Sequence, residues 1–236
     1  MCAIQNEKPI VYLSGWGFKA DACHQALLEF RNVLNLSWAD IRPITVNKTT
    51  EYLSEKIQAD SIIVAWSLGG IFALNLAKKY PLKCQKLILI STTPKFLANG
   101  DWPGISLTEA RLFRENLAGD LKYFLSQFIS LVQFPHRSLR VRKALVESLD
   151  LDESNADRMA QYLGLLFQAD LKEYYQALKV KTLHILGDKD PLVKIEAFKQ
   201  VFNPHIATHI IEGAGHVPFL THREKFLTTL RRFIHE

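Results

Sequence analysis

The chain has 236 residues, 48% of them hydrophobic and 22% charged, and a formal net charge of +5. Those figures exclude a disordered, collagen-like or coiled-coil chain and suit one domain with a full core and room for an insertion. No apolar run approaches the ~20 residues of a membrane-spanning helix. The opening residues Met1 to Lys8 have neither the basic start nor the apolar centre of a secretory leader. A cytoplasmic protein away from membranes is therefore expected. Cys2, Cys23 and Cys84 are odd in number and far apart, which favours reduced thiols over a disulfide framework or a metal knot.

Pro9 to Leu13 is a short apolar, β-branched run that ends in Ser14-Gly15-Trp16-Gly17, a buried strand feeding a tight loop. Asp21 to Val33 reads as a helix with Leu27, Leu28, Phe30 and Val33 on its apolar face. Trp38 to Thr50 is the least legible stretch. A strand over Pro43 to Val46 and a helix over Thr50 to Ile57, capped by Thr49 or Thr50, are its best reading. Ser61 to Trp66 is a strand, Leu68 to Tyr80 the helix that follows it until Pro81, and Lys86 to Ser91 another apolar strand. Near-continuous apolar strands alternating with helices predict a parallel sheet covered on both faces.

From Thr93 to Val180 the text turns wholly helical. Leu121, Phe124, Leu125, Phe128, Ile129 and Val132 keep helical spacing, and Arg137 to Leu149 and Ser154 to Gln168 are further helices. Strand text resumes at Thr182 to Gly187, followed by a helix over Lys194 to Phe202, a strand over Thr208 to Ile211 and a last helix over Arg223 to His235. The expected organisation is an α/β core over 1–92 and 179–236, interrupted by a helical cap over 93–178.

Ala65-Trp66-Ser67-Leu68-Gly69 joins a strand to a helix and matches a nucleophile elbow, with alanine in the place of the first glycine. A serine hydroxyl is a poor nucleophile at neutral pH and needs a base within reach. The base and its orienting acid should stand in loops after later strands, acid first. Gly187-Asp188-Lys189-Asp190 and Gly213-Ala214-Gly215-His216 meet that demand. Ser67, Asp190 and His216 are the predicted catalytic set; Asp190 is preferred because Asp188 suits a role in stabilising its own turn. Trp16 and Leu68 are the candidate oxyanion donors through their backbone N–H groups. Whether the Trp16 and Trp66 side chains pack or bind stays open. His184, inside an apolar strand, reads as a satisfied core histidine. No H-E-x-x-H, G-x-G-x-x-G or Walker loop occurs, so no metal and no cofactor is expected.

The ordered set Gly15-Trp16-Gly17, Trp66-Ser67-Leu68-Gly69-Gly70, Gly187 to Val193 and His216-Val217-Pro218-Phe219 resembles the α/β-hydrolase superfamily. With Trp102-Pro103-Gly104-Ile105 added, it resembles more narrowly the pimeloyl-acyl-carrier-protein methyl ester esterases of biotin synthesis. The resemblance implies an α/β-hydrolase fold, a mostly parallel sheet with helices on both faces and an all-helical cap over Ser67. It also implies an acyl chain among Phe18, Trp66, Trp102, Phe113, Phe128, Leu192 and Val217. An acyl carrier protein would dock on cap cations drawn from Lys122, Arg137, Arg140, Arg142 and Lys143. Of these, only Arg140 falls on a family carrier-contacting arginine. Ser14 replaces the histidine usual before the oxyanion-loop glycine, and the Gly-rich turn usual after the second core strand is missing around 38–50. A monomeric serine carboxylesterase that acts on a carrier-borne methyl ester is the expected function, with no nucleic-acid partner. A short-chain esterase, a thioesterase or a lyase of menaquinone synthesis would use the same three residues. A non-catalytic ligand-binding protein of the same fold is the alternative from another class.

Overall fold

The computed structural model describes residues 8–37, 40–41, 45–150, 156–201 and 203–236. Its strands are β1 (Ile10–Leu13), β2 (Val33–Leu36), β3 (Ser61–Trp66), β4 (Cys84–Ile90), β5 (Lys181–Gly187) and β6 (Ile206–Ile211). They form one sheet in the order β2-β1-β3-β4-β5-β6, and every pairing is parallel. Every residue of β1 and β3 is buried, whereas the edge strands β2 and β6 are partly exposed. That gradient explains the sequence text: inner strands of a covered parallel sheet have no polar face to alternate with.

The core helices are α1 (Asp21–Leu27), α2 (Val46–Lys56) and α3 (Leu68–Lys79). Between β4 and β5 follow α4 (Leu107–Ala118), α5 (Leu121–Val132), α6 (Leu139–Ser148), α7 (Ala156–Gln168) and α8 (Lys172–Ala177). The described residues of that insertion add no strand to the sheet. The chain closes with α9 (Pro218–Thr221) and α10 (Arg223–His235), whose Phe226, Leu227, Leu230, Phe233 and Ile234 are buried. No helix among the described residues is long and apolar enough to cross a membrane.

Several boundaries differ from the sequence expectations. The helix expected through Val33 stops at Leu27, and Val33 opens strand β2, paired with Ile10. Asn32 makes the turn at φ 55°, a conformation that asparagine tolerates better than most residues. The helix expected from Thr50 begins at Val46 and is capped by Thr45, whose hydroxyl accepts the Lys48 N–H at 3.4 Å. Thr49 and Thr50 are buried inside it. Of the strand expected over 43–46, Pro43 and Ile44 lie outside the described residues and Val46 is helical. The helix expected over 194–202 is a 3-10 turn, Ile195–Lys199, and Phe202 lies outside the described residues. α4 carries a complete capping box, Ser106 with Glu109, which starts a separate helix within the long helical stretch. Cys23 and Cys84 are buried thiols. Loss of water pushes the pKa of Cys84 up to about 12, and Cys23 is shifted the same way for the same reason.

The insertion is fastened to the loop after β1. The Trp16 indole N–H donates to the Met159 carbonyl on α7 at 2.8 Å, and Lys19 N–H to Ser148 O on α6 at 2.7 Å. Asp150 N–H donates back to Gly17 O at 3.0 Å.

Candidate active site

The centre of the site is built by a short turn between β3 and α3. Ser67 lies at φ 54° and ψ −117°, outside the regions that side chains prefer. Its N–H donates to Ile90 O on β4 at 3.0 Å, and its carbonyl accepts from Gly70 N–H at 2.9 Å. The turn is tight because a Cβ on Gly69 would overlap the Leu13 carbonyl, and one on Gly70 would overlap the Thr92 side chain. Ala65 pairs with Leu13 on one side and Leu89 on the other and is fully buried, so a large side chain there would have to displace packed neighbours.

Two later loops complete the line. His216 Nε2 stands 3.0 Å from Ser67 Oγ, and His216 Nδ1 stands 2.8 Å from Asp190 Oδ2. A carboxylate accepts only, so Nδ1 carries the proton and Nε2 is free to accept from the serine. The second Asp190 oxygen accepts the N–H groups of Leu192 at 2.8 Å and Val193 at 3.1 Å, which fixes the carboxylate plane. The Trp66 indole donates to the His216 carbonyl at 3.0 Å and holds the loop from beneath. Asp190 and His216 are 6% and 1% exposed, so their interaction is little screened by water. Asp188 does not serve its own turn as expected. Its Oδ1 accepts from Gly213 N–H at 2.6 Å and so joins the two loops. A Cβ on Gly187 would overlap the Ala214 carbonyl, which shows how closely they pack.

Leu68 opens α3, where the first N–H groups have no partner within the helix. Trp16 follows Gly15, which packs against the Trp66 ring so closely that a Cβ would touch it. Trp16, Phe18, Trp66, Phe113 and Phe128 belong to one aromatic cluster. Phe18 and Trp66 have centroids 5.0 Å apart, Trp16 and Phe128 5.2 Å, and Phe113 and Phe128 6.3 Å. Phe124 joins it, with its ring 6.1 Å from Trp16 and 5.8 Å from Phe113. Leu192 and Val217 are buried next to the loop residues Asp190 and His216. Trp102 is not part of the cluster. Its indole donates to Lys95 O at 2.9 Å, and Lys172 Nζ sits 5.4 Å above its ring, beside a separate polar cleft.

The five cations expected to dock a carrier are divided rather than gathered. The Arg142 guanidinium donates to Ser126 Oγ at 2.9 Å and Ser130 Oγ at 3.1 Å, tying α6 to α5. With Lys122 it borders an apolar cleft of about 320 Å³ lined by Leu121, Leu125, Ile129, Val146 and Leu149. Arg140 faces a different cleft, which it shares with Gln25, Leu220 and Arg223. Lys143 pairs with Glu147 at 3.8 Å, and Arg137 is exposed. Among the described residues, no group of three or more His, Cys, Asp or Glu is arranged to hold a metal ion.

Sequence reasoning missed Thr92. Its hydroxyl donates to the Ser67 carbonyl at 2.7 Å, and nothing in Ser91-Thr92-Thr93 marks it. His184 has both ring nitrogens engaged, by Tyr175 and by Thr92, as a satisfied core histidine should.

A parallel sheet with flanking helices and a serine on a strained strand-to-helix turn define an α/β-hydrolase architecture. Residues 25–223 match the family model for the alpha/beta hydrolase fold, and the chain belongs to that family. Its curated relatives include the pimeloyl-[acyl-carrier protein] methyl ester esterase of Wigglesworthia glossinidia brevipalpis, 27% identical over 95% of this chain and 93% of that protein. The Legionella pneumophila (strain Corby) protein of the same name is 25% identical over 96% of this chain and 95% of its own. Among solved structures, an esterase from Exiguobacterium antarcticum superposes with a TM-score of 0.81 at 19% identity, covering 99% of this chain and 94% of that one. A bromoperoxidase from Bacillus anthracis gives 0.78 at 18% identity, covering 100% and 94%. At such identities the superpositions speak for the fold.

Proposed function

We propose that the protein is a serine carboxylesterase that hydrolyses the methyl ester of a pimeloyl-type acyl chain borne on an acyl carrier protein, in the service of biotin synthesis. The observation that carries the chemistry is the unbroken line Ser67 Oγ, His216, Asp190, at 3.0 and 2.8 Å. Family membership and the names of relatives matched over nearly the whole chain support the substrate.

Ser67 Oγ attacks the ester carbonyl as His216 Nε2 takes its proton. The carbonyl oxygen becomes an oxyanion, held by the N–H groups of Trp16 and Leu68. Collapse of the tetrahedral intermediate breaks the bond to methoxide, which leaves as methanol with the proton from His216. Water then attacks the acyl-enzyme, giving its proton to His216, which returns it to Ser67 as the free acid departs. Asp190 holds the imidazole tautomer and stabilises its cationic form. Nucleophile, base and oxyanion donors come from the chain itself, so the reaction needs no cofactor. Residues 93–178 act as a cap, and the aromatic cluster of Phe18, Trp66, Phe113 and Phe128 receives the acyl chain. A carboxylate product is poorly held among such groups, which favours release. The enzyme works as a cytoplasmic monomer.

The test supplies the methyl ester on its carrier and measures methanol and free acid. Turnover supports the reading; inactivity on it beside activity on another ester or thioester rejects the substrate and keeps the mechanism. Failure of a fluorophosphonate to label Ser67 rejects both. Docking is tested at Arg137 and Arg140, because reversal of Arg142 would also break the α5–α6 contact. Arg137→Glu with Arg140→Glu should lower kcat/KM on the carrier-borne ester by about tenfold or more. The same pair should leave hydrolysis of a small free methyl ester near its starting value.

A further inference from the structure

Behind the elbow a chain of buried hydrogen bonds runs from the insertion to the backbone of Ser67. Tyr175 Oη on α8 stands 2.7 Å from His184 Nδ1 on β5, and His184 Nε2 stands 3.1 Å from the Thr92 carbonyl. Thr92 Oγ1 then donates to the Ser67 carbonyl at 2.7 Å. Proton positions follow from the partners. A carbonyl only accepts, so Nε2 bears the hydrogen, and the bare Nδ1 accepts from the Tyr175 phenol. All three residues are buried, at 2% exposure or less. Burial keeps His184 neutral by lowering its pKa to about 3, so the arrangement does not change across ordinary pH.

The end of the chain matters most. The Ser67 carbonyl belongs to the same planar trans peptide as the Leu68 N–H, and in such a unit the two groups point in opposite directions. Whatever holds the oxygen therefore aims the hydrogen. This peptide needs holding, because Ser67 lies at φ 54° and Ser91, just before Thr92, lies at φ 43°. Thr92 reaches the carbonyl only because Gly70 has no Cβ.

We infer that Thr92, His184 and Tyr175 are positioning residues that aim the Leu68 N–H at the developing oxyanion. The inference rests on the proposed reading of Ser67 as nucleophile. None of the three touches the substrate. Thr92 sets the peptide, His184 sets Thr92, and Tyr175 fixes the ring of His184. The relay also begins in the last helix of the insertion and ends at the reacting centre.

The test compares kcat and KM on a small methyl ester, per fluorophosphonate-titrated site, with affinity for a trifluoromethyl ketone of the same acyl group. Thr92→Val keeps the shape and loses the donor. It should lower kcat by about 10–100-fold, less than outright deletion of an oxyanion donor. KM should stay within about twofold, since the ground-state carbonyl makes little use of that donor. Affinity for the ketone, which forms an oxyanion on Ser67, should fall with kcat, and Thr92→Ser should restore both. Tyr175→Phe should lower kcat by about threefold, the scale of one net hydrogen bond. A merely structural role would lower the melting temperature and leave per-site kcat unchanged. That result for Thr92→Val, or for Tyr175→Phe should the threonine variant fail to fold, overturns the relay. A wild-type enzyme that labels and turns over keeps the esterase reading in that event; one that does neither overturns both.

Discussion

Ser67 occupies a backbone conformation that costs about 1–3 kcal/mol when a non-glycine residue adopts it. The surrounding bonds maintain it: Ile90 O on its N–H, and Gly70 N–H with the Thr92 hydroxyl on its carbonyl. Strain so heavily supported at one serine lifts the hydroxyl off the sheet toward His216. Asp190 is held with similar care, one oxygen on His216 and the other on two backbone N–H groups. Asp190→Asn should therefore keep the fold but present an amide where the imidazole needs an acceptor. Turnover should fall by roughly 10⁴-fold as the ring takes the wrong tautomer. Steady-state kinetics beside an unchanged circular dichroism spectrum checks this, and near-normal turnover would remove Asp190 from the mechanism. The three residues of this line were legible because each ends a strand in a loop with its own signature. Thr92 was not, because its importance comes from a carbonyl 25 residues away.

At the scale of elements, α3 approaches the sheet as closely as two backbones allow. Gly69 faces the carbonyl of Leu13, a residue paired with a strand on each side, and the Ser14 carbonyl that follows it. Gly69→Ala should then push α3 away from β1 and lose about 1–3 kcal/mol, the usual cost of overpacking. Thermal melting should register it as roughly 2–4 °C for each kcal/mol in a chain of this size. Activity should fall as well, since α3 carries the Leu68 N–H. An unchanged melting temperature would mean that the helix has slack the geometry denies. The same scale shows why the inner strands were readable and β2 was not. All of β1 and β3, and β4 from Leu87 to Ile90, are buried on both faces and spell near-continuous apolar runs. β2 is a four-residue edge strand, and its Val33 continues the helical spacing of Leu27 and Phe30. Only Asn32 separates the two periods, and one turn residue is a weak mark. The 3-10 turn after β5 escaped for the same reason: a single turn and a helix share their first few residues of pattern.

For the whole molecule, the buried imidazole of His184 ties folding stability to pH. Loss of water lowers its pKa from the ordinary 6.5 to about 3, while the bond to Thr92 opposes that shift. In the unfolded chain the ring takes a proton below about pH 6.5; in the folded protein it stays neutral until far lower. The unfolded state thus binds more protons across that window, so stability falls as pH falls through it and is fully present above it. His209 and His222 are shifted in the same direction, chiefly by burial, and add to the trend. Glu109, held low by its bonds to Ser106, contributes only in the acid range below the ordinary carboxylate pKa. Between pH 7 and 5 the histidines therefore dominate. Denaturant unfolding of the wild type should show stability declining with acidity, and His184→Gln should flatten that decline by up to about 1.4 kcal/mol per pH unit. The variant would be less stable at neutral pH, where the relay is intact, and the two curves should converge on acidification. Curves that stay parallel from pH 7 to 5 would mean that folding leaves the proton affinity of His184 unchanged, and acid would then put a proton on the Nδ1 that has to stay bare to accept from the Tyr175 phenol.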